Sequence, residues 1–381
     1  PVFVALLLSY FLLRWWQIFD ALLLIAVVFG TTLFAAQRAP ALRRWLWFGY
    51  LGCTFAIGLF QLSPLKGTGD KNVLSLPEVE GLVERDLAHW LAKHSTADGP
   101  AIVLAPPSLA KTLAYYGGLR GLASLSWENK DGLSVALRMV ISTSREEALA
   151  LIQRREVKYI VIPSWNPFFE EYTRSASVQV GELFLTGLHR WALPRWLRPI
   201  PYELPKIAGF DQHSVVIFEV VDEQDEPVAL SRLAEYFLEM GQIDRAQATA
   251  QALRRFPVDF GALVTRAQVE VVLRNAPAFT ALMDTVVKRL SAGGDRNLPW
   301  DRRVSLAVAL ARAQQMDLSR AQVQRCLAEI DEARIRSLTT YSLFHLDYLR
   351  KGFGFEIKDL RLRQLVAELL PVEQAVAPPN G

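Results

Sequence analysis

Three apolar runs fill the first 63 residues: PVFVALLLSYFLL at 1–13, ALLLIAVVFGTTLFAA at 21–36 and WLWFGYLGCTFAIGLFQL at 45–62. A helix needs about 20 predominantly apolar residues to cross a bilayer. The second and third runs approach that length with their flanks, and the first starts at residue 1, so three transmembrane helices are expected over 1–63. The runs recur without a small-residue cleavage pattern, which is not the layout of a signal peptide. The loop QRAPALRR at 37–44 holds Arg38, Arg43 and Arg44, whereas RWWQIFD holds Arg14 alone. Basic loops stay on the cytoplasmic side. The third helix then runs outward, and everything after about residue 63 is expected to be extracytoplasmic, as in a bacterial inner-membrane protein. Trp15, Trp16, Trp45 and Trp47 lie at run ends, where indole rings favour the interface. The chain opens with Pro inside an apolar run, so it is read as the C-terminal piece of a longer, larger helical bundle.

The remaining sequence has the composition of an ordinary folded chain. A formal charge of +3 over 381 residues supplies no overall basic field, and no nucleic-acid partner is expected. Cys53 and Cys326 stand far apart and lack a CxxC neighbour, so both are read as buried and inert. The five histidines, His89, His94, His189, His213 and His345, show no metal-ligand spacing. No GxSxG, P-loop or GxGxxG signature occurs.

Residues 64–226 read as an extracytoplasmic α/β domain. LPEVEGLVERDLAHWLAKH repeats apolar residues at helical spacing, AIVLAP at 101–106 is a short buried strand, and PSLAKTLAYYGG is a helix closed by Gly-Gly. GLASLSW reads as a second strand, and DGLSVALRMVIST as a helix. SREEALALIQRREVKYIVIPS opens with a capping box at Ser144 and Glu147 and ends in a strand. HSVVIFEVV at 213–221 is a further strand. Strands alternating with helices predict a mostly parallel sheet.

From residue 227 the strand pattern stops. ALSRLAEYFLEMGQIDRAQATAQALRRFP at 229–257 is close to a tetratricopeptide unit, with Gly241 at the turn and Ala246 and Ala250 at the helix crossing. Residues 259–290 echo it without the Gly, and 304–331 echo it with Met316-Asp317 at the turn. An all-α tetratricopeptide-like solenoid is therefore expected over 227–371, followed by a disordered tail at 372–381. Such arrays bind a protein or peptide on the concave face, or here they cap the preceding domain.

The order APPSLAKTLAYYGGLRGLASLSWENKDGL, then STSREEALALIQRREVKYIVIPS, resembles the extracytoplasmic C-terminal region of GT-C membrane glycosyltransferases, the class of the catalytic subunit of oligosaccharyltransferase. It also resembles bacterial polytopic proteins with a GT-C-like core and a helical-repeat tail. The resemblance spans about residues 45–222. Tyr115, Tyr116, Gly117 and Gly118 fall where an aromatic–glycine motif of WWDYG type would fall, although the acid of that motif is absent. The resemblance implies transfer from a polyprenyl-phosphate-linked sugar at the outer membrane face. Its catalytic carboxylates, and any divalent metal, would lie upstream of this chain, so no catalytic residue is carried over. Tyr115, Tyr116, Arg120, Trp127, Glu128 and Asn129 would then shape the acceptor or lipid-phosphate side of a site. By local grammar alone, Asn129 to Gly132 turn the chain from strand to helix.

HRWALPRWLRPIPYELP at 189–205 mixes Arg190, Arg195 and Arg198 with Trp191 and Trp196. This density of basic and indole groups suits an interfacial segment on lipid headgroups; alternatively, a proline-rich loop packs its tryptophans on the domain. The residues thus support two functions: a glycosyltransferase-like protein, or a non-enzymatic membrane scaffold whose repeats recruit a protein partner in envelope or polysaccharide assembly.

Overall fold

The computed structural model describes residues 24–26, 28–29, 45, 48–49, 52, 74–95, 99–175 and 183–370. The expected transmembrane runs and the tail at 372–381 lie almost wholly outside them. Among the described residues, no helix is long and apolar enough to cross a membrane. A first unit covers 1–75 and a second begins at Leu76.

The second unit opens with α1 (Leu76–His94), β1 (Ile102–Leu104), α2 (Pro107–Gly117) and β2 (Arg120–Gly121). After a 3₁₀ turn at Trp127–Asn129 come α3 (Lys130–Ile141), α4 (Arg145–Arg154) and β3 (Val157–Pro163). Two short helices, α5 (Phe168–Ser175) and α6 (Phe184–His189), lead to β4 (Leu197–Ile200) and β5 (Val215–Val220). The five strands form one sheet in the order β2-β1-β3-β5-β4. Strand residues alternate between its two faces. Ile160 and Ile162 join α3, α4, α5 and α6 in one core, while Tyr159 and Val161 join α1 and α2 in the other.

The sheet is mixed, which corrects the expectation of a mostly parallel one. The pairings of β1 with β2 and β3 are parallel; those of β5 with β3 and β4 are antiparallel and carry most of the paired residues. The reason is connectivity. Helices cross between β1, β2 and β3, whereas no helix separates β4 from β5, so that pair closes antiparallel. β4 carries Pro199, which masks it in the sequence, and proline is tolerated there because β4 is an edge strand. The strand expected over GLASLSW stops at Gly121 and the rest is loop.

From α7 (Glu226–Glu239) onward the chain is helical: α8 (Ile243–Ala252), α9 (Phe260–Val272), α10 (Ala276–Ser291), α11 (Trp300–Arg312) and α12 (Met316–Ala328). Then follow α13 (Glu332–Ser337), α14 (Thr340–Gly352) and α15 (Leu360–Leu369). α7/α8, α9/α10 and α11/α12 are helical pairs, and α7, α9, α11 and α14 pack on one another in succession. Each of these four ends in the same turn. Gly241, Arg274, Gln314 and Gly354 occupy the left-handed region, with φ of 67°, 56°, 57° and 73°. The amide of the following residue reaches back to the helix each time: Gln242 to Phe237, Asn275 to Glu270, Gln315 to Leu310 and Phe355 to Arg350. The structure therefore contains a helical array with a repeated turn.

Candidate functional site

The parallel strands place one candidate region. α2 crosses from β1 to β2 over one face of the sheet, whereas α3 and α4 cross from β2 to β3 over the other. The strand order therefore reverses between β1 and β3, and open α/β sheets bind ligands outside the carboxyl ends at such a point. Here Asn166, after β3, donates a 2.6 Å hydrogen bond to Ser108, after β1. Beside them, Glu84 accepts from Thr112 and from the indole of Trp165, and Ser164 lies 3.4 Å from His213 Nδ1. Both Glu84 oxygens are thus engaged in tying α1 to its neighbours.

The residues assigned from the resemblance divide between the two ends of the sheet. Tyr115 and Tyr116 sit at the far end of α2, which has carried the chain back to where β1 begins. Tyr115 is 82 % exposed and Tyr116 is 44 % exposed, packed edge-on against His89. Arg120 is exposed, and its amide bonds the Ala101 carbonyl just before β1. Trp127, Glu128 and Asn129 instead follow β2 at the carboxyl end. Asn129 donates to the Leu122 carbonyl at 3.1 Å and closes the loop. A Cβ on Gly132 would stand 2.4 Å from that same carbonyl, so the chain needs glycine there.

The basic, tryptophan-rich segment turns mostly inward. Trp196 is 5 % exposed and stacks on Phe184. Trp191 packs on Phe218, Tyr236 and Phe237, bridging sheet and array. Arg198 pairs with Glu219 and donates to the Ser337 carbonyl at 3.0 Å. Arg190 and Arg195 remain exposed, the latter 2.6 Å from Glu223. These contacts are those of tryptophans packed on the domain.

Arg198 belongs to a buried charge cluster along the seam between β4, β5 and the array. Arg232 binds Asp301 through two nitrogens at 2.8 and 3.0 Å, and Arg302 pairs with Glu235 at 2.6 Å. Burial opposes ionisation of Asp301, but Arg302 and Arg232 together hold its carboxyl far below the ordinary range. Burial likewise works against charge on Glu219, and Arg198 and Lys158 outweigh it. Glu239 is different. Burial pushes its carboxyl up to about 8, against a hydrogen bond from Thr339 and with Glu235 adding repulsion. The cluster encloses only about 30 Å³.

A larger opening of about 140 Å³ lies next to it, lined by the first helices of the pairs. Counted back from the first three of the left-handed turn residues, positions six and two earlier all line it: Glu235 and Glu239, Gln268 and Val272, Val308 and Arg312. Gln268 is 8 % exposed and its Oε1 has no hydrogen-bond partner. Arg312 donates to the Tyr341 hydroxyl at 2.6 Å at the groove's other end.

Comparison with known proteins gives little: neither a protein-family model nor a curated protein matches the chain. Among solved structures, the C-terminal globular domain of oligosaccharyltransferase from Archaeoglobus fulgidus shows a weak likeness. It is 19 % identical, with a TM-score of 0.27, over 36 % of this chain and 95 % of that one.

Among the described residues, no three His, Cys, Asp or Glu side chains gather as metal ligands. Cys326 is buried and its thiol is pushed up to about 12, chiefly by burial. The groove residues escaped sequence reasoning. Gln268 and Val272 sit at helical spacing in a segment whose turn lacks glycine, and only the i, i+4 placement repeated before the first three turns marks them.

Proposed function

We propose that the helical array is a binding module that takes an extended protein segment in the groove of its first helices, within a membrane protein of envelope or polysaccharide assembly. One observation carries this reading. Equivalent positions of three successive helices line a single opening, and one of the lining residues, Gln268, has a buried amide oxygen with no hydrogen-bond partner. Leaving a buried acceptor unmade costs about 1–3 kcal/mol, and a backbone N–H of a bound segment would satisfy it. The test selects peptides on the full chain from a displayed library. Selected peptides should lose at least ten-fold in affinity on Val272→Trp and on Gln268→Leu, and be indifferent to Tyr116→Ala. Peptides unaffected by both groove substitutions sink the reading.

A second reading rests on the sequence order at 105–164 and on the strand reversal between β1 and β3. In it, the chain is the C-terminal part of a GT-C-like glycosyltransferase. It works with a polyprenyl-phosphate-linked sugar on the outer face of a bacterial inner membrane, with residues after about 63 outside the cytoplasm. Its carboxylates and any divalent metal come from beyond this chain. Tyr115, Tyr116 and Arg120 stand at the amino end of the parallel strands and Trp127, Glu128 and Asn129 at the carboxyl end, so only one trio would border a given ligand. Titration of the full-length protein in nanodiscs with polyprenyl phosphate, following heat stability, tests it. A saturable rise supports a lipid-phosphate site; a flat response removes this reading.

A further inference from the structure

A cleft of about 240 Å³ opens where the sheet meets the first helical pair, and it shares no lining residue with the groove. Its floor is apolar: Ile162, Val216 and Phe218 come from adjacent strands β3 and β5. Trp191 and Tyr236 form one wall, their rings 5.0 Å apart. Trp191 holds φ at 60°, in the left-handed region that costs a non-glycine residue about 1–2 kcal/mol. That conformation ends α6, with the Ala192 amide bonded to the Gly187 carbonyl, and it aims the indole at the seam.

The polar groups on the cleft are donors or donor-capable: Arg245, Gln242, His189 and Ser214. No carboxylate lines it. His189 is already matched by Glu170, 2.9 Å away. Arg245 is not matched. Its guanidinium donates to Gln242 Oε1 at 3.0 Å and lies 5.9 Å from the ring centroids of Trp191 and Phe237. Among the described residues no carboxylate lies within ion-pair distance of it. The Gln242 oxygen being taken, its amide nitrogen is left to donate outward. An apolar floor under a rim with one uncompensated cation and further donors fits one kind of molecule.

We propose that this cleft binds a small apolar carboxylate, its hydrocarbon body on Phe218 and Val216 and its carboxylate on Arg245 and Gln242. Guanidinium presents a planar donor fork to a carboxylate. An apolar cavity of about 150 Å³ accepts benzene, so this one has room for an indole or a short branched chain. The inference does not depend on the groove's function. It concerns a different face of α7 and a small ligand, and its variants leave the groove untouched.

The test is calorimetric titration of the full chain in nanodiscs, with empty nanodiscs as blank. The probes are indole-3-acetate, octanoate and the neutral indole-3-acetamide. At least one acid should bind saturably. If the better acid is indole-3-acetate, it should bind at least ten-fold more tightly than its amide. Tighter binding of the aryl acid points to an aromatic source for the ligand, and of the alkyl acid to an aliphatic one. Arg245→Gln, at an exposed position, should weaken the acid at least ten-fold and leave the amide unchanged. Ser214→Trp, which fills the mouth, should abolish binding of both while circular dichroism and the melting temperature show a folded protein. Lack of saturable binding by either acid, or equal affinity in the wild type and Arg245→Gln, overturns the proposal.

Discussion

Glu239 is a carboxyl whose surroundings oppose its charge. It lies between the seam cluster and the groove, and its carboxyl accepts from Thr339 with Glu235, Arg302 and Glu203 near it. Its folded value of about 8 stands above the ordinary 4.5, so the folded state binds the extra proton between those limits. That contribution is complete below about 4.5 and is lost as pH rises through 8. His94 acts the other way. Burial lowers its imidazole from 6.5 to about 4, so its contribution is lost as pH falls through that interval. The two oppose each other in mildly acidic solution, and Glu239 acts alone above it. Stability should therefore fall between about pH 6.5 and 8, by on the order of 1–2 kcal/mol. Glu239→Gln keeps an acceptor for Thr339 and should flatten that limb, as urea midpoints across pH will show. Glu235→Gln retains the Glu239 carboxyl but removes a repulsion that helps to raise it, so it should move the upper end of the limb to lower pH without abolishing it.

At the scale of elements, the four left-handed turns explain what the sequence disclosed and what it hid. Gly241 announced the first helical pair because glycine is the usual residue in that conformation. Arg274 and Gln314 adopt the same φ with side chains that disfavour it, so the second and third pairs read as weak echoes although their turns are bonded alike. Both residues are exposed. Arg274→Gly and Gln314→Gly should each stabilise the protein by up to about 1 kcal/mol, seen as a higher urea midpoint; a lower midpoint for both would contradict the strain. The α/β part shows the same division. β1 and β3 were legible from their apolar runs. β4 was not, because an edge strand carrying Pro199 looks like a loop until β5 pairs with it. The site residues were legible only by type. Tyr116 and Trp127 stand 11 positions apart in the chain, and α2 with its return strand sends them to opposite ends of the sheet, which no spacing rule reveals.

On the scale of the molecule, the sheet and the array are joined through buried charge rather than through hydrocarbon alone. Arg198 reaches the Ser337 carbonyl, Arg336 reaches the Lys93 carbonyl, and α7 packs on β4. Removing one partner of a buried pair costs about 3–5 kcal/mol, because the other charge is left unpaired. Arg302→Met strands Glu235 and bares one side of Asp301, so it should lower stability by about that much. The loss should appear equally in near-ultraviolet and far-ultraviolet unfolding curves if sheet and array melt together. Two separated transitions in the wild type would mean that the seam does not couple them. The left-handed turns have a different consequence at this scale. They recur after 33, 40 and 40 residues, and each closes through backbone atoms that any side chain supplies. The period is thus written in peptide geometry, leaving the letters free to drift. A lineage can then lengthen or shorten such an array by copying or losing a whole hairpin, with each new copy inheriting its fold before it has acquired a recognisable spelling.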